Sequence, residues 1–332
     1  MKIVVDDKIP YIRDAISKIT ADAVYIKGAD IGAADVRDAD ALIVRTRTRC
    51  DEQLLGGSSV RFLATATIGF DHLDTAYLQR AGITWMNCPG CNAGSVEQYL
   101  RSVLLLLPLH LQRSTLGIVG CGHVGSRVRA AAEALGMRVL VNDPPLGKPG
   151  FVGLDVIERE ADVITFHVPL DASTHHLADR AFFGRLQRRP YIINTSRGEV
   201  ADNDALFEAL QNGSVRDAVI DTWENEPDIH RGLLERVMIG TPHIAGYSAD
   251  GKANADNMVL DGLCRFFGVP SPGLVVPPPL PSTVVNTGNA LDLYNPLTDS
   301  ERLKAAPERF EELRGNYPLR REQFPAPYLK IP

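Results

Sequence analysis

Short apolar runs punctuate the first ninety residues, each bounded by polar or turn-forming positions: "KIVVD" at 2–6, "ALIVR" at 41–45, "RFLAT" at 61–65 and "ITWMN" at 83–87. Runs of this length, with little polar alternation, suit strands covered on both faces. Between them, apolar residues fall at helical spacing. "PYIRDAISKI" opens on Pro10, which a first helical turn tolerates, and "HLDTAYLQRAG" ends on Gly82, suited to the left-handed end of a helix. Strand and helix signals in alternation predict a parallel sheet.

A helix is expected across roughly 93–110, where the most apolar stretch, "VLLLLPLHL" at 103–111, is too short to span a bilayer and contains Pro108. The strand pattern then restarts with "STLGIVG", "MRVLVND", "ADVITFHV", "YIINTS", "DAVIDTW" and "RVMIGTP". From residue 269 the texture changes. "VPSPGLVVPPPLPS" is too rich in proline for a helix or central strand and predicts an extended arm. One helix, "APERFEELRGN", is expected in the remaining tail, whose apolar content is too low for a core of its own. The expected fold class is therefore α/β, two doubly wound parallel-sheet domains followed by a short C-terminal extension.

Composition narrows the partners. A net charge of −6 over 332 residues argues against a general nucleic-acid binder, and an anionic ligand would need a local basic cluster. "MKIVVDD" places acids directly after its apolar run, so it reads as a first strand and not as a signal peptide. A soluble, cytoplasmic protein without a membrane partner is expected. The five cysteines give no disulfide framework; "CPGC" at 88–91 has CxxC spacing but no second Cys/His pair, so a tight turn is expected there and no metal.

"LGIVGCGHVGSRVRAAAEALGMRVLVNDPP" carries the clearest chemistry. Gly120, Gly122 and Gly125 satisfy G-x-G-x-x-G between a strand and a helix that begins near His123 and Val124, and Asp143 ends the next strand eighteen positions after Gly125. Glycines let the backbone approach a pyrophosphate, the helix N-terminus offers it free N–H groups, and the acid would bind the adenosine ribose and repel a 2′-phosphate. NAD is the expected cofactor.

Three polar segments, "NTSRGEVADNDAL", "DTWENEPD" and "GTPHIAGYS", follow successive strands of the second unit, where doubly wound sheets bind ligands. The Arg, acid and His they carry make the chain similar to the D-isomer-specific 2-hydroxyacid dehydrogenases over about residues 1–268. By motif, the resemblance implies Arg197, Glu226 and His243 as catalytic residues. Arg197 would hold a substrate carboxylate with its planar fork, and His243 would take the C2 hydroxyl proton. Glu226 would orient and stabilise the imidazole. The resemblance further implies cofactor contacts at Val168, Thr195, Ser196, Asp221 and Gly246, and substrate contacts at Thr46, Thr67 and Tyr247. The resemblance implies Thr in relatives where Val168 stands.

Several strings, "TATIGFDHLD", "PGCNAGSVEQY", "NDPP" and "TPHIAGYSADGK", set the chain apart within that family and imply a phosphorylated 2-hydroxy acid as substrate. "VRTRTRC" puts Arg45, Arg47 and Arg49 at alternate positions, on one face if strand geometry persists, as candidates for the phosphate. The resemblance implies a flavodoxin-like substrate-binding domain at 1–92 and 253–268, a Rossmann NAD-binding domain at 93–252, and a proline-rich arm with a reduced C-terminal dimerisation segment at 269–332. It also implies a homodimer. Two alternatives stay open: a phosphoglycerate dehydrogenase or hydroxypyruvate/glyoxylate reductase activity on the same machinery, and an NAD(H)-sensing, corepressor-like binding protein.

Overall fold

The computed structural model describes residues 1–282, 287–323 and 325. They form two compact units, one built from residues 1–92 and 248–280, the other from 93–247 and 281–323. The chain passes into the second unit at Asn92–Ala93 and returns at Tyr247–Ser248.

The first unit is a five-stranded parallel sheet in the order β2-β1-β3-β4-β5, with β1 Ile3–Asp6, β2 Ala23–Ile26, β3 Ala41–Val44, β4 Phe62–Thr65 and β5 Thr84–Met86. Alternate residues feed opposite faces, so continuous apolar runs are required. Ile3, Val5, Ala41, Ile43 and Ala64 enter one core with Met258 and Leu263 of the long helix Ala249–Phe267. Val4, Leu42, Val44 and Leu63 enter the other.

The sequence reading missed β2, whose residues are half-buried or exposed and so lack a long apolar run. It also started the first helix too early. The helix is Arg13–Ile19, preceded by Tyr11 at φ +65°, a conformation that cannot continue a helix. "CPGC" forms the expected turn: Gly90 has φ +77°, and buried Cys88 donates to the carbonyls of Thr65 and Ala255 at 3.4 Å.

The second unit is a six-stranded parallel sheet, β11-β10-β9-β8-β6-β7, comprising β6 Thr115–Val119, β7 Arg138–Asn142, β8 Val163–Phe166, β9 Tyr191–Asn194, β10 Asp217–Ile220 and β11 Ile239–Gly240. Ile192 and Ile193 illustrate its double winding, the first facing one core and the second the other. The apolar helix spans Ala93–Leu106, shorter than expected, because Pro108 has no N–H to continue it.

No helix or strand occurs among the described residues of 269–282, in keeping with an extended arm. The tail beyond is more structured than expected: the helices Ala290–Leu293 and Pro296–Ala305 precede the anticipated one, which is Phe310–Gly315 with a 3₁₀ turn ahead of it. Asn295 caps the helix Pro296–Ala305 by accepting from the Leu297 N–H at 3.1 Å, with Pro296 in the first turn. Leu303 and Phe310, both fully buried, belong to one core of the second unit and Tyr294 to the other. Ser300 accepts from the Gly240 N–H at 3.0 Å, so the tail also covers the edge strand β11. No helix among the described residues is long and apolar enough to cross a membrane.

Truncating Phe310 to Ala should therefore cost about 3–5 kcal/mol, as for a core aromatic. Denaturant unfolding checks this; a midpoint equal to wild type would mean that the tail is not integral to the second unit's core.

Candidate active site

At the turn after β6, Gly120 has φ +89° and a Cβ there would lie 2.4 Å from the His167 carbonyl oxygen. A Cβ on Gly125 would lie 2.0 Å from the Gly120 carbonyl oxygen. Both positions need glycine because strand, turn and helix are in contact. Gly122 differs: nothing lies within 4 Å of where its Cβ would be. It precedes the helix His123–Ala134, and no side chain caps that helix. Asp143 accepts from the Cys121 N–H at 2.7 Å and the Leu146 N–H at 3.1 Å, tying the end of β7 to the glycine turn. An open glycine, an uncapped helix N-terminus and a carboxylate beside them fit a dinucleotide. His123 is exposed and Val124 half-buried at this N-terminus. Burial pushes the neighbouring His167 imidazole down to about 3, so no cation forms there near neutral pH.

After β9, Asn194 builds the platform for Arg197. Its side-chain oxygen accepts from the Ser196 N–H at 3.1 Å and hydroxyl at 2.8 Å, while its amide donates to the Arg197 carbonyl at 2.7 Å. The Arg197 guanidinium donates to the Ser196 carbonyl at 2.8 Å. A Cβ on Gly198 would lie 2.0 Å from the Trp223 carbonyl, so this loop is pressed against the segment that carries Glu226. The buried Thr195 Oγ1 has no hydrogen-bond partner among the described residues, a group that a ligand at the strand ends would satisfy. Val168 lies in the first core's periphery, its Cγ1 2.8 Å from where a Gly120 Cβ would be.

Asp221, following β10, is 1% exposed. Its carboxylate accepts from the Thr241 hydroxyl at 2.6 Å and from the N–H groups of Ile244 and Ala245 at 2.8 and 2.9 Å. These bonds bend the chain around His243, whose φ is +56°. The imidazole Nδ1 then lies 2.8 Å from Glu226 Oε2 and 3.1 Å from Oε1, and Oε1 also accepts from the Trp223 N–H at 2.9 Å. Burial pushes the Glu226 carboxyl up. The charge and hydrogen bond of His243, the Trp223 N–H and the Arg314 guanidinium outweigh it and leave it below its ordinary value. A carboxylate on Nδ1 makes that nitrogen the donor and leaves Nε2 as the basic site.

Two tail arginines were not read from the sequence. Buried Arg320 donates to the Ala245 and Ile244 carbonyls at 2.6 and 3.2 Å and to Ser95 Oγ, and stands over the Tyr294 ring at 4.3 Å. It holds the loop leading to Gly246. Arg314 reaches both Glu226 and Tyr247. Neither has a local motif: the Ile244 and Ala245 carbonyls lie 76 and 75 residues from Arg320, and Tyr247 lies 67 residues from Arg314.

In the first unit the arginine pattern does not persist as a strand. β3 ends at Val44, and residues 46–48 turn, with the Thr48 N–H on the Arg45 carbonyl at 3.4 Å and its hydroxyl on the Gly28 carbonyl at 2.7 Å. Arg45, Arg47 and Arg49 therefore do not share a strand face. Arg45 donates to the Lys8 carbonyl at 3.2 Å and Arg49 pairs with Asp51 at 2.9 Å, while Thr46 and Arg47 are exposed on the turn. Thr67 follows β4; its hydroxyl pairs with that of Thr65 at 2.7 Å, which in turn meets His72 Nε2 at 3.1 Å. Asp256, 1% exposed, has no hydrogen-bond partner among the described residues on either carboxylate oxygen. Burial pushes its carboxyl well above the usual range against the opposing pull of Arg45 and Lys252.

Residues 97–245 match the model of the D-isomer specific 2-hydroxyacid dehydrogenase NAD binding domain. The chain is 54% identical to an erythronate-4-phosphate dehydrogenase of Bacteroides thetaiotaomicron, over 97% of each chain. That coverage carries the likeness well past residue 268. Among solved structures, it resembles the NAD-bound 3-phosphoglycerate dehydrogenase of Entamoeba histolytica (TM-score 0.72, 27% identity, 84% of this chain and 99% of that one). It also resembles the D-lactate dehydrogenase of Aquifex aeolicus complexed with NAD and lactic acid (TM-score 0.70, 25% identity, 84% and 100%).

The Asp256 carboxyl gives a pH signature. Its folded pKa lies above the unfolded value of about 3.9, so its contribution is fully present below about pH 4 and is lost as pH rises toward the folded value. Asp256→Asn should match wild type near pH 4 and be more stable by about 1–3 kcal/mol at pH 8. Parallel stability–pH curves for the two proteins would contradict the assignment.

Proposed function

The chain belongs to the D-isomer-specific 2-hydroxyacid dehydrogenases, and on that footing we propose that it oxidises 4-phospho-D-erythronate to 2-oxo-3-hydroxy-4-phosphobutanoate with NAD, a step of pyridoxal 5′-phosphate biosynthesis. The observation that carries the chemistry is the 2.8 Å contact between His243 Nδ1 and Glu226. It supports an imidazole whose Nε2 takes the C2 hydroxyl proton, and a carboxylate that stabilises the resulting imidazolium. Arg197 binds the substrate C1 carboxylate and polarises the C2 oxygen.

Gly120, Gly122, Gly125 and the helix N-terminus at His123 and Val124 hold the NAD pyrophosphate, and Asp143 the adenosine ribose. Thr195, Ser196, Asp221, Gly246 and Val168 line the nicotinamide end. When bound, NAD supplies the acceptor for the hydride that leaves C2. Thr46, Thr67 and Tyr247 contact the substrate, and Arg45 or Arg47 binds its phosphate; Arg49 is less suited because it already pairs with Asp51. The protein acts in the cytoplasm as a homodimer.

A substrate panel followed by NADH absorbance tests the assignment. Preference for glyoxylate, hydroxypyruvate or phosphoglycerate over the four-carbon phosphate would overturn it. His243→Ala should lose about 10²–10⁴ in turnover with NAD affinity retained; an NAD(H) sensor would keep its readout. Arg45→Ala or Arg47→Ala should raise the substrate KM about thirtyfold, the loss of one charge-assisted contact of about 2 kcal/mol. An unchanged KM in both would remove these arginines from the phosphate site.

A further inference from the structure

The geometry points to Arg314, on the tail helix Phe310–Gly315, as a positioning residue of the active site: its cation keeps Glu226 ionised and its Nε orients the Tyr247 hydroxyl. This inference rests on the reading of Glu226, His243 and Tyr247 given above. Phe310, fully buried, anchors the helix in the core of the second unit. One turn later, Arg314 exposes only 19% of its side chain. Its Nη1 lies 3.6 Å from Glu226 Oε2, the oxygen that also faces His243 Nδ1, and its Nε donates to Tyr247 Oη at 3.1 Å. The Tyr247 ring is set edge-on against Tyr317, with centroids 6.0 Å apart, so this second contact is also fixed by the tail.

Each contact has a chemical consequence. Glu226 is 15% exposed at its side chain, and burial alone would favour its neutral form. A protonated Glu226 could not stabilise an imidazolium. The charged and titratable groups around it are His243 on one side and Arg314 on the other, with Glu311 4.0 Å beyond Arg314 and Asp221 behind the His243 segment. Arg314 is thus a permanent cation beside the pair, and unlike His243 it does not titrate. At Tyr247, the hydrogen bond accepted from Arg314 fixes the hydroxyl oxygen and strengthens the phenolic group as a donor. An anionic or hydroxylic substrate group is what such a donor serves.

The experiment compares wild type with Arg314→Gln, which keeps a polar side chain without charge, and Arg314→Lys, which keeps the charge. Turnover of 4-phospho-D-erythronate, NAD affinity, thermal stability and an NMR pH titration of the His243 ring in the NAD-free protein are measured on each. R314Q should lower kcat about ten- to a hundredfold, the scale of a misplaced catalytic group. Its Glu226–His243 pair should take up protons at higher pH than wild type, because removing a nearby cation favours protonation. R314K should return the titration toward wild type and recover part of kcat, with NAD affinity unchanged in both variants. A titration unmoved in R314Q, or moved equally in R314K, would overturn the inference, as would losses of kcat explained by reduced thermal stability. Wild type inactive on the four-carbon phosphate would sink the functional reading instead, and the titration would still decide the role of Arg314.

Discussion

One buried carboxylate organises the second unit. Asp221 follows β10 and accepts three hydrogen bonds from residues 241–245, closing the chain after β11 onto the end of its neighbouring strand. The Thr241 hydroxyl also meets Tyr99 Oη at 2.8 Å, from the helix Ala93–Leu106, and its carbonyl accepts from the Trp223 indole at 2.9 Å. The Asp221 carboxylate, the Thr241 and Tyr99 hydroxyls and the Trp223 indole each have a buried hydrogen-bond partner, which stiffens this turn. A left-handed backbone at a residue such as His243 costs on the order of 1–3 kcal/mol and persists only where its surroundings leave no alternative. Asp221 and Thr241 supply that constraint, and the His243–Glu226 contact is its consequence.

The same economy governs the glycines. Gly120, Gly125 and Gly198 are places where backbone meets backbone too closely for a Cβ, whereas Gly122 alone of these faces open space. The motif "GCGHVG" therefore holds two kinds of glycine, two needed to pack the turn and one to leave room. Distances to an ideal Cβ separate them where spacing in the sequence does not.

Elements with continuous apolar runs were legible because both faces of each sheet are covered, and the placement of "SRG", "NEP" and "TPH" beyond strand ends was legible because each comes after such a run. What the sequence hid has physical reasons. β2 is half-buried, so "AVYI" carries no contrast with its flanks. The alternation of Arg45, Arg47 and Arg49 has a strand's period, yet the Thr48 hydroxyl draws the chain into a turn toward Gly28, a partner twenty residues away. The tail read as too poor in apolar residues for a core of its own. Its few apolar side chains, Tyr294, Leu303 and Phe310, are inserted into existing cores, and its charged ones, Arg314 and Arg320, are buried against the loop that carries His243. A tail without a core of its own can still complete another.

The central claim is that the Asp221 knot fixes His243 with Nδ1 on Glu226 and Nε2 left basic. The nitrogen-15 shifts of the His243 ring in the neutral protein test it most directly. The account predicts the Nδ1–H tautomer, with its Nε2 resonance at the position of an unprotonated imidazole nitrogen. A proton on Nε2 with Nδ1 unprotonated would contradict it, because a ring in that state could not accept a hydroxyl proton where the substrate is proposed to lie.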